Sequence, residues 1–444
     1  MTAVLYTAGV LVFALGVAAS IGLHELGHLV PAKKFGVKVT QYFVGFGRTV
    51  WSRRRGETEY GVKAVPLGGY VKLVGMLPPA RDTAVDGTEI APRTGGSRVR
   101  TSSTGLFTQL VSDARAAEYE LVRPEDEERL FYRLPWWKKV VVMAGGPTVN
   151  LVIAFTLFAG IFGLYGTYEP TTTVKVVSQC VVPGHEQGRS CRPSDPVSPA
   201  ARAGLHPGDR ITSFNGVRIA SWEQLVGLIR HNENGRAVIG YVRDGQQRTA
   251  TTDTTVKSVV SLQDTQKYVN AGFLGVVSTT YRQRHGVVYT IDQMGQMTGA
   301  TAAALVHLPA KVWGVAKAVV GVQPRAQDSP VSVVGAGRVA GELTSDSHSP
   351  VAARLMSLLG LLAALNLFVG LFNFIPLLPL DGGHIAGALY EGVRRGVARV
   401  LHRPDPGFVD VAKMLPVAYV MAGLLLVMSL VLIAGDIVAP VQLS

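Results

Sequence analysis

The sequence predicts a polytopic α-helical membrane protein with about four transmembrane helices, a membrane-associated β-hairpin and an extracytoplasmic α+β domain. Its 444 residues are 48% hydrophobic and their mean hydropathy is +0.26, which is too apolar for an ordinary soluble protein. The apolar residues are concentrated in long runs, and a polar, strand-rich segment separates two of these runs. Membrane spans and a soluble insert together account for this pattern.

The first segment, residues 1–32, is predicted to cross the membrane and to carry half of a metal site. It contains His24-Glu25-Leu26-Gly27-His28. Residues four apart on a helix lie one turn above each other, so both imidazoles share a face with Glu25 at its flank. Two neutral imidazoles supply two zinc ligands, a third must come from elsewhere, and a fourth position stays open for a water that Glu25 can deprotonate. Ionisable residues in an apolar span are costly and usually functional, so the motif predicts a hydrolase.

Basic residues orient this first span. Lys33, Lys34 and Lys38 follow it, and Arg53-Arg54-Arg55 comes soon after. Because such residues accumulate on the cytoplasmic side, we expect the N-terminus outside and the chain in the cytoplasm after residue 32. No basic residue precedes the apolar run, so we expect no cleavable signal peptide. The net charge of +12 lies beside the spans, which favours anionic membrane lipids as partners and no nucleic acid.

Residues 33–80 are predicted to form a β-hairpin against the cytoplasmic side of the membrane. The β-branched and aromatic residues between Glu57 and Leu73 are interrupted by Pro66 and Gly68-Gly69, which favours strands and turns over a helix. An exposed strand edge there could accept an extended peptide. Residues 81–135 are polar and are predicted to be a flexible cytoplasmic loop.

Residues 136–166 are predicted to form the second span, which leads outward. Trp136-Trp137-Lys138-Lys139 is typical of an interfacial anchor. Gly145-Gly146-Pro147 and Asn150 predict a kink and a close approach by another backbone.

Residues 171–277 resemble a PDZ domain on the outer side of the membrane. The pattern A-x-x-A-G-L-x-x-G-D-x-I runs from Ala200 to Ile211, and Asn215-Gly216 follows it. In that fold a glycine turn leads into a strand beside a groove that captures a peptide as an added strand. Cys180 and Cys191, the only cysteines, also lie here; an oxidising compartment would favour a disulfide, and two free thiols remain the alternative.

Residues 285–350 are predicted to be an extracytoplasmic amphipathic linker. The stretch from Gly299 to Val322 is long and apolar, but it contains Pro309, Lys311 and Lys317. A lysine at the centre of a span costs roughly 3 kcal/mol. A crossing here would also place the basic stretch after the third span outside, so we expect a helix that lies on the outer surface.

Residues 355–387 are predicted to form the third span, and residues 412–436 the fourth. Near its end the third span contains Asn373, which is followed by Pro376-Leu377-Leu378-Pro379-Leu380-Asp381. An aspartate at the inner end of an apolar span, after two helix-breaking prolines, is a candidate for the third zinc ligand. Capping of the next helix is the alternative role for Asp381. His384 is a second candidate ligand, but Asp381 lies nearer the membrane core.

Taken together, these motifs resemble the site-2 proteases, which are zinc intramembrane metalloproteases of the M50 type, and specifically the bacterial members with a PDZ insert. The resemblance rests on the His24 motif, Phe46-Gly47 before Trp51, the segments Pro66 to Lys72 and Gly146 to Asn150, the PDZ-like segment, and Asn373 through Gly383. It covers most of the chain. Two features depart from the family pattern: the chain has one PDZ-like segment where some relatives have two, and the loop at 81–135 looks longer than usual.

This resemblance implies roles for single residues. His24, His28 and Asp381 would bind Zn²⁺, and Glu25 would be the catalytic base. Asn373 would position substrate or stabilise the oxyanion. Gly68, Gly69 and Tyr70 would take substrate as an added strand.

The resemblance also implies partners and a location. The family cleaves single-pass membrane proteins, typically anti-sigma factors, after an upstream site-1-type protease has removed the outer domain; this sequence of cleavages is regulated intramembrane proteolysis. The chain would lie in the bacterial cytoplasmic membrane with its N-terminus and PDZ-like segment outside. A non-catalytic scaffold that binds membrane-protein tails would need no zinc chemistry, and the complete His-Glu-His and Asp set speaks against it. A small transporter would require internal repeats, which the sequence lacks.

Overall fold

The computed structural model describes residues 2–78, 111, 122–182, 189–260 and 268–441, and it forms two compact units. Unit 1 comprises Met1–Gly160, Val288–Arg325 and Ser329–Ser444, and unit 2 comprises Ile161–Val287 and Ala326–Asp328.

The helices and strands are numbered here along the chain. The helices are α1 Thr2–Lys34, α2 Trp136–Gly160, α3 Pro199–Arg202, α4 Trp222–His231, α5 Val287–Val319, α6 Val333–Ser345, α7 Val351–Asn373, α8 Asp381–Val400 and α9 Leu415–Val438. The strands are β1 Val39–Arg55, β2 Thr58–Leu73, β3 Thr167–Val177, β4 Arg210–Phe214, β5 Val217–Arg218, β6 Arg236–Arg243, β7 Gln246–Asp253, β8 Thr255–Val260, β9 Tyr268–Phe273 and β10 Val276–Gln283.

Among the described residues, four helical segments are long and apolar enough to cross a membrane, which agrees with the predicted number. They are Thr2–Lys34, Trp136–Tyr165, Val351–Asn373 and Val411–Val438. The boundaries of the third differ from the prediction. Its helix ends at Asn373 because Pro376 and Pro379 cannot continue it, and Asp381 starts the separate helix α8. Asp381 therefore lies outside the third apolar segment of the structure, although the predicted span at 355–387 included it.

The helix α5 is longer than the predicted amphipathic stretch from Gly299 to Val322. It spans 33 residues and includes Pro309. It is not among the four apolar segments, in agreement with the argument from Lys311 and Lys317.

The strands β1 and β2 form a hairpin, as predicted, but one stretch of β1 pairs with two different segments of β2. Residues Gln41 to Val44 each have two partners, one in Gly69–Lys72 and one in Glu59–Val62. The stretch from Gln41 to Val44 is therefore central, and the segment at Gly69–Lys72 forms an edge. This edge matters because it runs beside α1.

The predicted flexible loop at 81–135 is in part wrong. Residues 79–110 and 112–121 lie outside the described residues. The end at 122–135 contains two short 3₁₀ helices, Pro124–Arg129 and Phe131–Arg133. It is fixed because Phe131 and Tyr132 are buried and because Arg129 and Asp126 pair with Glu57 and Lys38 on the hairpin side.

Unit 2 is an α+β structure, as predicted for this segment. Its main sheet has the strand order β10-β3-β4-β6-β7, with β5 against β4, and β8 pairs with β9. A buried apolar core forms between the sheet and the helices, and Ser198 and Ser221 cap α3 and α4. Its main members include Val174, Ile211, Phe214, Leu225, Ile239 and Leu274. Cys180 and Cys191 form a disulfide, which resolves the alternative that the sequence left open.

Candidate metal centre

Three side chains from two distant parts of the chain meet in unit 1. His24 and His28 lie one turn apart on α1, and Asp381 is the first residue of α8. The two histidine Nε2 atoms are 3.3 Å apart, and each lies 3.4 Å from Oδ2 of Asp381. The structure thus brings together the three predicted ligands, and in its described part this is the one group of at least three His, Cys, Asp or Glu side chains with metal-binding spacing.

This triangle has the dimensions of a zinc site. Zinc bonds to nitrogen and oxygen ligands are about 2.0–2.1 Å long, so the edges of a regular tetrahedron around the ion are about 3.3–3.4 Å. The three observed separations match one face of that tetrahedron. Two imidazole nitrogens and a carboxylate oxygen are also a donor set that zinc prefers, and three protein ligands leave the fourth position open.

A backbone hydrogen bond fixes the orientation of His28. Its Nδ1 lies 2.8 Å from the carbonyl oxygen of Val142 on α2, and a carbonyl can only accept, so Nδ1 carries the proton. The Nε2 lone pair is then free for a metal, which is the usual arrangement around ligating histidines. Nδ1 of His24 is buried and has no hydrogen-bond partner among the described residues, so only one of the two imidazoles is held in this way.

Glycines let α1 and α2 cross at the site. A Cβ atom on Gly27 would lie 2.5 Å from the carbonyl oxygen of Gly145, so the two backbones are in contact. A Cβ on Gly146 would collide with the rings of both His24 and His28. The close backbone approach predicted from Gly145-Gly146-Pro147 is confirmed, and its consequence is that α2 forms one wall of the metal centre.

Two more glycines set the position of Asp381. Any Cβ on Gly382 or Gly383 would collide with the backbone between Phe374 and Leu378, which precedes α8. The first turn of α8 is therefore packed tightly against the segment that leaves α7. This packing turns Asp381 back toward α1, although the aspartate lies outside the apolar span.

Glu25 lies between the ligands and the β2 edge. A Cβ on Gly69 would come within 2.9 Å of Glu25 Cγ and 3.0 Å of Ile21 Cγ2. A side chain at position 69 would separate the strand from the glutamate, so glycine permits this contact. The edge strand thus runs past a carboxylate that is next to the candidate metal site.

The other predicted hairpin residues are close by. Gly68 has φ +112°, a conformation that favours glycine. The Tyr70 ring stacks on Phe43, with centroids 5.6 Å apart, and also on Phe46. Tyr70 is therefore held against the aromatic side chains of β1.

Asn373 and His384 are not members of the three-ligand group. Asn373 is the last residue of α7. His384 lines a cavity with Lys139 and Glu391, one turn along α8 from Asp381. Burial lowers the pKa of His384, although the Asp381 carboxylate opposes this. The preference for Asp381 over His384 as the third candidate ligand agrees with this geometry.

Sequence reasoning missed the polar groups that support the site. Asn366 on α7 donates to Oγ of Ser20, one turn before His24, at 3.0 Å. Lys139 and Glu391 form a buried ion pair at 2.7 Å between α2 and α8. Polar residues in or beside apolar helices were the available signal, but the sequence does not identify their partners.

Comparison with known proteins gives a consistent result. A family model described as peptidase family M50 matches residues 12–402. The chain is 32% identical over 458 residues to the zinc metalloprotease Rip1 of Mycobacterium tuberculosis, an alignment that covers 99% of each chain. It is 26% identical over 399 residues to the metalloprotease MmpA of Caulobacter vibrioides, covering 87% of this chain and 86% of the relative.

A solved structure also matches part of the chain. It is the PDZ domain of an SdrC-like protein from Listeria monocytogenes, with 18% identity and coverage of 26% of this chain and 90% of the other. The TM-score is 0.16, which is too low to carry an argument about the fold. The PDZ-like character of unit 2 remains a prediction from its sequence pattern.

Proposed function

Because this chain belongs to peptidase family M50 and is a metalloprotease, we propose that it is a zinc-dependent endoprotease that cleaves single-pass membrane proteins within or beside the bilayer. One observation carries the proposal: a tetrahedral face of two histidines and one aspartate lies beside a glutamate, with both histidines on an apolar helix long enough to span a membrane. Ionisable side chains in a membrane span are costly and usually functional, so ligands on such a helix favour a reaction within or beside the bilayer.

The residues have distinct roles in the proposed hydrolysis. His24, His28 and Asp381 hold the zinc ion, which when bound supplies a Lewis acid that makes water more acidic and polarises a carbonyl group. Glu25 accepts a proton from the attacking water as the oxygen–carbon bond forms. As the carbon–nitrogen bond breaks, Glu25 returns that proton to the leaving amine. Asn373 is proposed to position substrate or stabilise the developing oxyanion.

The β2 edge offers a way to present a membrane helix to these groups. Peptide bonds inside a helix are hydrogen bonded and shielded, so the substrate must unwind before it is cut. An extended segment can pair with the edge at Gly68, Gly69 and Tyr70 through main-chain hydrogen bonds. The contact between Gly69 and Glu25 supports this proposal, because it would bring a paired strand next to the proposed base.

The biological setting is proposed from the resemblance to site-2 proteases. The substrates would be single-pass proteins such as anti-sigma factors, trimmed first by a site-1-type protease. The enzyme would lie in the bacterial cytoplasmic membrane, with the N-terminus and unit 2 outside. The charge distribution supports this orientation, because lysines and arginines follow α1 directly and such residues accumulate on the cytoplasmic side of a membrane.

The test separates metal binding from catalysis. Purified full-length protein should contain about one zinc per chain. Glu25→Gln should keep the zinc and reduce cleavage of a single-pass substrate by about 10²- to 10⁴-fold, because only the base is lost. His24→Ala, His28→Ala and Asp381→Ala should lower the zinc content as well. Zinc is measured by elemental analysis and cleavage by gel assay.

His384→Ala is the matched control, since it changes a nearby histidine outside the triangle. Normal zinc in Asp381→Ala together with loss of zinc in His384→Ala would contradict the ligand assignment. Cleavage that survives in Glu25→Gln would contradict its role as base. Substrate binding without cleavage in the wild type would favour the non-catalytic scaffold.

The proposed orientation makes a separate prediction about the disulfide. Cys180 and Cys191 belong to unit 2, which follows the second span, so both should face the outside of the cell. After mild reduction of intact cells, a membrane-impermeant thiol reagent should label them. Labelling that requires lysis would mean that the topology is inverted.

A further inference from the structure

The helix α8 carries an exposed apolar stripe. Leu389 is 46% exposed, Val393 64%, Val397 52% and Val400 76%. Their spacing places them on one face of the helix, within a sector of about 80°. Four exposed aliphatic side chains on one face of a surface helix indicate that an apolar partner covers this face.

Arginines border the stripe on both sides. At 100° per residue, Arg394 lies about 100° to one side of its centre and Arg399 about 120° to the other. Arg403 follows just after the end of the helix. Arg394 donates to the carbonyl oxygen of Pro406, and neither Arg399 nor Arg403 forms an ion pair with an acidic residue in the described part of the chain. The rim of the stripe therefore has positive charge that is not neutralised by described neighbours.

Away from the stripe, α8 is anchored at the level of a membrane interface. A Cβ on Gly392 would lie 2.7 to 3.0 Å from the ring of Trp136, so the helix rests on this indole at the start of the span Trp136–Tyr165. Tryptophan is enriched where spans meet the membrane–water interface. The buried Lys139–Glu391 pair also holds α8 to α2, on the side opposite the stripe. In addition, α8 connects the end of one apolar segment to the start of another.

We propose that α8 is an interfacial lipid-binding helix that takes anionic phospholipids from the leaflet in which it lies. The stripe would enter the boundary between headgroups and acyl chains, and Arg394, Arg399 and Arg403 would contact phosphate groups. A helix with an apolar face, basic borders and little overall hydrophobicity lies in the interface plane in this way. The positive charge favours anionic lipid over a second copy of this chain on the stripe, because a second copy would bring the same arginines against each other. The binding does not depend on the proposed proteolysis.

A reporter on the stripe tests this directly. The full-length Val393→Cys variant is labelled with bimane, its native cysteines remaining in their disulfide, and placed in phosphatidylcholine nanodiscs that contain increasing phosphatidylglycerol brominated near the headgroup. The bromine should quench the bimane, since the side chain lies about 5–10 Å into the boundary region. A bimane at Gln246→Cys, an exposed position in unit 2, is the control.

The arginines are tested in the same reporter. Arg399→Gln with Arg403→Gln should shift the quenching curve to higher phosphatidylglycerol by about five-fold per arginine, because each basic residue near an anionic surface contributes about 1 kcal/mol. Arg218→Gln with Arg236→Gln in unit 2 removes the same charge and should leave the curve unchanged. Absent quenching at position 393, or an unchanged curve in the double variant, would overturn the proposal. Cross-linking of two chains through position 393 without quenching would assign the stripe to a dimer and overturn it equally.

Discussion

The two units surround a carboxylate with different kinds of partner. In unit 2, Asp209 is buried and accepts hydrogen bonds from Arg243 and from the backbone N–H of His206. Burial alone would raise the pKa of Asp209, but these donors outweigh it and the pKa is lowered. In unit 1, Asp381 faces two imidazoles that converge on the same point. A carboxylate whose oxygens accept hydrogen bonds from an arginine and a backbone N–H is structural, whereas nitrogen and oxygen lone pairs that converge on one point can hold a cation.

Glycines differ between the units in the same sense. Gly204, Gly208 and Gly216 of unit 2 have positive φ and open space around them, so they serve the turns of the backbone. Gly27 and Gly146 of unit 1 have a helical backbone, and any side chain there would meet neighbouring backbone or the ligand rings. Gly27 and Gly146 therefore make room for the site, whereas the three glycines of unit 2 shape turns.

The largest expected effect comes from filling that room. Gly146→Ala should lower zinc affinity at least about ten-fold, as is typical when the surroundings of a ligand are disturbed, and cleavage should fall with it. The added methyl group would push His24 and His28 out of their triangle. Zinc affinity is measured by competition with a chelator of known strength. Gly160→Ala on the same helix is the control, because a Cβ there would contact nothing within 4 Å. Equal zinc affinity in both variants would break the comparison between the units.

An intermediate effect should appear in unit 2 alone. Leu225 is fully buried in its core, so Leu225→Ala should destabilise this unit by about 2–5 kcal/mol. Hydrogen exchange of the full-length protein should speed up in β4 and β6, while the zinc content stays at the wild-type value because no ligand belongs to unit 2. Val217→Ala removes a residue that is 43% exposed and serves as control. Zinc loss in Leu225→Ala would show that the metal centre depends on that core.

The sequence was sufficient for features encoded by local patterns. The apolar runs predicted the four candidate spans, and helical spacing together with two helix-breaking prolines predicted the three candidate ligands. Features that depend on tertiary packing were not accessible. The Val142 carbonyl that orients His28 is a backbone group and leaves no trace in residue type. Hydropathy alone extends the third span through Asp381, because it does not show that α7 already ends at Asn373. Polar composition predicts a flexible segment at the described end of the 81–135 loop, but it does not show that Asp126 and Arg129 pair with Lys38 and Glu57.

The smallest expected effect concerns the described end of this loop. It adds a third carboxylate to the comparison, Glu57, whose side chain is 33% exposed. Arg129 donates two hydrogen bonds to Glu57, of 2.7 and 2.8 Å, and this holds the pKa of Glu57 below its ordinary value of 4.5. A group with a lowered folded pKa stabilises the fold above its ordinary pKa, and the contribution is lost as the pH falls through the lowered value. Because both side chains are partly exposed, the pair is worth less than about 1 kcal/mol.

The readout is the amide of Phe131, which donates to the carbonyl oxygen of Val74 beside the hairpin. Its protection against hydrogen exchange, corrected for the intrinsic pH dependence, should stay constant from neutral pH to about 5 and fall below about 4.5. Glu57→Gln should lower this protection at neutral pH and flatten the pH dependence. Glu125→Gln is the control, since the side chains of Glu125 and its partner Arg123 are 71% and 72% exposed. Protection in Glu57→Gln that equals the wild type at neutral pH would mean that the buried Lys38–Asp126 pair and the side chains of Leu130, Phe131 and Tyr132 hold the segment without help from Glu57. The described end of the loop would then be held by buried side chains, as in the core of unit 2, and not by an exposed ion pair.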